Sequence, residues 1–217
     1  PEFYARHVAA HRVGRINVSV SRLWTALESG QPTGRLNPPQ IVEDSPQRML
    51  AIGAPTLFAS TVALSANWLG EFSNAVFHAE FVPQLDSPTL AGIDFTGLED
   101  LGAFLKASLD APLAYINEYL GYFRTSANQH SANPMGRPMK LAHTAYIGLA
   151  IAARRIGQIS PQAAAAVLAN LCPTVLARYG HEADMASINA TMLPLARAEQ
   201  GAEEAFTAAL NAYLGKT

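Results

Sequence analysis

The side chains of this sequence that could do chemistry are few and scattered. His7 and His11 stand four residues apart, the spacing at which two imidazoles on one helix face can share a metal ion. No Glu follows His7, so the general base of the zinc-protease helix is missing, and a surface pair near the N-terminus explains the spacing without a metal. Cys172 is the only cysteine. It excludes an intramolecular disulfide and a Cys-rich zinc cluster, and it reads as a small buried residue in a reducing compartment. His181, Glu182 and Asp184 cluster after Gly180, where a helix start would use them as caps. The chain has no phosphate-binding loop, no Gly-rich dinucleotide fingerprint and no nucleophile elbow. The sequence thus offers no catalytic residue, no cofactor site and no metal ligand, and it leans towards a non-enzymatic protein.

Charge is the stronger signal. The net charge is only −2, which makes no global case for a polyanionic partner, but the charges are segregated. From Tyr119 to His181 there is no Asp or Glu, although 17 acids in 217 residues would place about five there at random. The same stretch carries Arg124, Arg137, Lys140, Arg154, Arg155 and Arg178, with His130, His143 and His181. Residues 3–27 are also acid-free and hold Arg6, Arg12, Arg15 and Arg22, whereas residues 71–118 carry eight acids against one Lys. On a helix, Lys140, His143, Thr144, Arg154 and Arg155 fall within one sector. Lys140 and Arg154 would stand about 21 Å apart, enough to span several phosphates of an extended strand. The competing reading is internal pairing: Ile147 and Ile151 share that sector, and acids of residues 71–118 could reach these cations across the fold.

The elements that must position these residues read as helices. Tyr4 to Val13 is helical. Arg15 to Ser21 alternates through Ile16, Val18 and Val20, but an isolated strand has nothing to pair with, so a turn leading into a helix over Ser21–Glu28 is expected. Gly30 to Gln47, with Pro32, Pro38, Pro39 and Pro46, is a linker or a wrapped segment. One or two buried helices follow Ser45-Pro46, through Leu57 and Trp68. A capping-box spacing at Thr96 and Glu99 opens a helix towards Leu109, and Asp110 with Pro112 starts another reaching Phe123 or Arg124. Thr125 to Pro138 is a polar loop. A long helix over Met139–Ile156 stops at Gly157, and a further one starts at Ser160-Pro161 and ends before Pro173. Two more, near Asp184–Met192 and Ala202–Leu214, complete the chain. Ala153, Gly157 and Ile159 before Ser160-Pro161 resemble a helix-turn-helix junction, but only Gln162 and Asn170 could read bases.

The expected architecture is therefore all-α: a single multi-helical globular domain with an N-terminal helical arm on a Pro-rich linker. The arm covers residues 1–28, the linker 29–44 and the helical body 45–217. Pro1-Glu2-Phe3 reads as a vector remnant or a processed end. Leu141 to Ile156 is the longest apolar stretch; it runs into Arg154 and Arg155 and falls short of the roughly 20 residues that cross a bilayer. No charged segment followed by an apolar core opens the chain, so a cytoplasmic protein without a membrane partner is expected. The functional expectation is a nucleoprotein or coat-like protein. It would bind RNA or single strands through Arg124, Arg137, Lys140, His143, Arg154, Arg155 and Arg178, without sequence specificity, and form a homo-oligomer through residues 1–28. The alternatives are a protein-interaction module, such as a bacterial effector or regulatory partner, and a helical enzyme acting on an anionic substrate.

Overall fold

A computed structural model describes residues 2–87, 89–126, 129 and 132–215. The chain divides into two compact units, residues 1–88 with 99–132 and residues 89–98 with 133–217. In chain order the elements begin α1 (Glu2–Val13), β1 (Val18–Leu27), β2 (Pro32–Arg35), α2 (Gln40–Glu43), β3 (Met49–Ile52) and α3 (Ala54–Leu64). They continue through β4 (Ala75–Phe77), a 3-10 segment (Ala79–Asp86), β5 (Thr89–Leu90), β6 (Ile93–Asp94), α4 (Glu99–Asp110) and β7 (Leu113–Thr125). The last part holds α5 (Arg137–Arg155), α6 (Pro161–Tyr179), α7 (Ala186–Ala196) and α8 (Ala202–Leu214).

The all-α expectation is wrong: the first unit is built on a five-stranded mixed sheet, and the second carries a two-stranded hairpin of β5 and β6. β1 and β7 run parallel at its centre, with Ser19 opposite Ala114 and Leu27 opposite Thr125. β3 lies antiparallel on the far side of β7. The other side of β1 is shared, since β4 pairs with its first residues and β2 with its last. Residues 18–27, expected as a turn leading into a helix over Ser21–Glu28, are thus the strand that joins the sheet together, and the supposed linker contributes β2 and α2.

Both misread strands have a physical reason. Val18-Ser19-Val20-Ser21 alternates as a strand should, but its main partner, β7, lies far along the chain. In β7 the first four residues, Leu113 to Ile116, are all buried, so no polar alternation marks them. Ala114 and Ile116 pack with Ala10 and Ile16 beneath α1. On the opposite face the Tyr115 ring lies 5.5 Å from that of Trp68, whose indole N–H donates to Thr61 Oγ1 at 3.1 Å.

The Pro-rich stretch is held against this sheet by a polar network. Arg22 and Arg35 both reach the Glu43 carboxylate at 3.0 Å, and the Tyr119 ring stacks on Trp24 at 4.2 Å. Asn117 accepts from Arg22 and donates to the carbonyls of Ser45 and Gln47, each at 3.1 Å. Side chains from β1, β2, α2 and β7 thereby order a segment that has no apolar periodicity of its own.

The helices of the second unit follow the sequence signals more closely. Ser160 caps α6 by accepting from the Ala163 N–H at 3.1 Å. Gly157, at φ +72°, stops α5 in a conformation that a side chain would resist. α6 does not end before Pro173 but runs through it to Tyr179, and α7 likewise runs through Pro194. Pro173 is exposed, so the backbone carbonyl it leaves without a donor can face water. Gly148, inside α5, is needed for close approach: a Cβ there would lie 2.6 Å from Ile93 Cγ2 on β6.

Candidate functional site

The cations expected to form one basic face do not do so. Lys140, at the start of α5, is 4% exposed. Its ammonium donates to Glu182 Oε2 and Asp184 Oδ1, both at 2.7 Å. Burial opposes that charge, and the hydrogen bonds to Asp184 and Glu182 more than offset it, holding the ammonium up at about 12. At the other end of α5, Arg154 and Arg155 both reach Glu203 Oε2, at 2.5 and 3.6 Å. His143 is half-buried, its Nδ1 2.7 Å from the Met139 carbonyl and 2.9 Å from the Tyr179 hydroxyl. Arg137 donates to the Tyr213 carbonyl at 2.8 Å and lies over that ring. Arg178 is exposed on α6, and Arg124 is exposed at the end of β7 in the other unit.

The acids that neutralise α5 come from residues 182–203, not from the acidic stretch 71–118. Glu182 precedes a short 3-10 turn at Ala183–Met185, without capping it through its side chain, and Asp184 lies within the turn; both serve Lys140 instead. With its strongest cations paired, the RNA-binding, nucleoprotein reading gains no support. His130 lies outside the described residues.

The helical unit does contain a groove, formed by α6, α7, α8 and the end of α5. Its volume is about 430 Å³, within the range of ligand-binding clefts. Ala164, Leu168, Leu195 and Ala202, all buried, make its floor. Ala165, Ala198 and Gly201 make low walls. Small side chains on both sides let another backbone come close. Charge sits only at the lip, where Glu199, Glu203 and Glu204 outnumber Arg154, already held by Glu203. Arg154 is the one predicted site residue that lines this groove. Its apolar lining came from Ala-rich helix faces, which the sequence shows only as helix-forming composition.

The sheet unit holds the other concentration of chemistry. His7 Nδ1 lies 2.7 Å and His11 Nε2 3.0 Å from Ser19 Oγ on β1. A serine between two imidazoles has the composition of a nucleophile and its base. Ser19 is nevertheless wholly buried beneath α1, and no carboxylate among the described residues hydrogen-bonds either imidazole. The hydroxyl has no route to a substrate and instead ties α1 to the sheet. His7 is thus no surface residue. A polar cleft of about 400 Å³ adjoins the cluster, lined by His11, His78, Arg15 and Asp110 among others.

Among the described residues no group of three or more His, Cys, Asp or Glu is placed to hold a metal ion, and no helix is long and apolar enough to cross a membrane. Cys172 is fully buried, and that burial pushes its thiol up to about 12, away from nucleophilic use. Comparisons with protein-family models, with curated proteins and with solved structures find no match for the chain.

Proposed function

We propose that this chain is a protein-interaction module whose helical unit receives an amphipathic helix of a partner protein in the groove between α6, α7 and α8. The partner helix carries small or aliphatic residues on the face it inserts and Lys or Arg along its flank. The observation that carries this reading is the groove itself: an apolar, alanine-walled floor under a lip rich in glutamate. Helix-in-groove recognition needs an apolar trough that desolvates one helix face, and complementary rim charges then fix register and orientation.

A labelled model helix tests it, with alanine and leucine on one face and lysine on both flanks. Fluorescence anisotropy is expected to report saturable binding to the full chain, weakening as salt screens the lip. Ala165→Trp fills the groove from an exposed wall position and is expected to reduce binding at least tenfold with unchanged thermal stability. The same helix with glutamate flanks is expected not to bind. Equal binding of both helices, or no effect of Ala165→Trp, contradicts the assignment.

A further inference from the structure

Three imidazoles converge where α1 meets the sheet, and the buried one, His7, has no acceptor for an added proton among the described residues. Ser19 Oγ is shared by His7 Nδ1 and His11 Nε2. His11 Nε2 also lies 3.1 Å from the Val76 carbonyl on β4, and the His78 ring stacks 6.4 Å from that of His11. His7 is 0% exposed, packed on Phe3 at 4.2 Å, and its Nε2 is buried with no hydrogen-bond partner among the described residues.

The proton count has two neutral solutions. Ser19 can donate to His7 Nδ1 while His11 donates to the Val76 carbonyl, or His7 Nδ1–H can donate to Ser19 while Nε2 remains a bare lone pair. The second avoids a buried N–H without an acceptor and is the cheaper one. A proton added to Nε2 then has no acceptor, in a site closed to water and one helical turn from His11.

We propose that α1 is an acid-released clasp: His7 holds it over β1 and β7 while neutral, and uptake of one proton by His7 detaches it from the sheet. The groups around it act in the same direction or are already engaged. β1 offers the Ser19 hydroxyl and β4 the Val76 carbonyl. His78, beyond β4, adds a third base, with the 92%-exposed Glu80 3.9 Å from it. On α1 itself, Arg6 reaches Glu118 of β7 at 3.3 Å, but that carboxylate is shared with Arg48. Burial, with the nearby His11, lowers the His7 imidazole to about 4, which places release below its ordinary titration. Detachment would uncover Ala10, Ile16, Ala114 and Ile116, an apolar surface hidden at neutral pH.

Hydrogen exchange on the full chain, corrected for the intrinsic pH dependence of exchange, tests the clasp. Opening of α1 amides is expected to rise about tenfold per pH unit as pH falls from 6.5 towards 4, the signature of one linked proton, while amides of α5 stay protected. In His7→Asn, which keeps a polar group facing Ser19 but cannot titrate, opening is expected to be flat over that range. A wild-type α1 that stays protected, or a variant that opens with the same slope, overturns the proposal. If the variant does not fold, NMR titration of the wild-type His7 ring decides: it must take up its proton over the range in which α1 opens, and a ring that titrates while α1 stays protected refutes the clasp.

Discussion

The Lys140 ammonium donates to the Asp184 carboxylate across 2.7 Å, joining the first turn of α5 to the turn that precedes α7. With Glu182 on the same ammonium, it converts the most prominent cation of the acid-free stretch into an internal strut. Lys140→Met removes the charge but keeps most of the volume. Glu182 and Asp184 retain contact with water, so the expected loss is about 1–2 kcal/mol, less than the 3–5 of a fully buried broken pair. Urea denaturation measures it; an unchanged midpoint contradicts the strut.

Asp100, at the start of α4, sets a pH dependence of its own. Burial pushes its carboxyl up to about 6 from the ordinary 3.8, and Glu71 and Glu99 add to the push. A folded-state value above the unfolded one means that the folded chain holds the proton more tightly. The stability this contributes is therefore full below 3.8 and is lost as pH rises through about 6. Asp100→Asn is expected to be about 3 kcal/mol more stable than wild type above that window and similar below it. Equal pH profiles of the two proteins would contradict the sign.

Gly148 tests the close approach of α5 to β6. Inside a helix, Gly→Ala ordinarily stabilises by up to about 1 kcal/mol. At this position the new Cβ would meet Ile93 Cγ2 at 2.6 Å, and Gly148→Ala is expected to lower stability by about 1–3 kcal/mol. Combination with Ile93→Ala removes the clashing atom, so the double variant should lose less than the sum of the singles. A rise in melting temperature for Gly148→Ala alone would refute the contact.

The buried thiol gives a simple check on the packing of α6. Cys172 is expected to resist a disulfide reagent such as Ellman's under native conditions and to react completely in denaturant. Rapid native labelling would mean that α6 opens readily.

The helices of the second unit were legible because their signals are local. Ser160-Pro161, Gly157 and the long periodic run of α5 act within one or two turns, and each ends or begins a helix close to the expected place. The sheet was not legible, because β1 and β7 pair across the whole intervening chain and β7 is buried on both faces where a polar alternation would have marked it. Pro173 and Pro194 misled for another reason: a single proline removes one donor, a loss that tertiary packing outweighs. The basic segment was legible as composition but not as surface, since pairing of Lys140 with Asp184, and of Arg154 with Glu203, is fixed only by how α5 meets the later helices. The groove had no sequence signal beyond its alanines, which mark helices and not the faces they leave open.

The central claim, that the α6–α8 groove receives a basic amphipathic helix, is tested most directly by amide chemical-shift mapping of the full chain with the lysine-flanked model helix. Saturable shifts are expected, concentrated at Ala164, Ala165, Leu168, Leu195, Ala198 and Ala202 and absent in Ala165→Trp. Shifts centred on the sheet unit, or none at saturating helix, would contradict it.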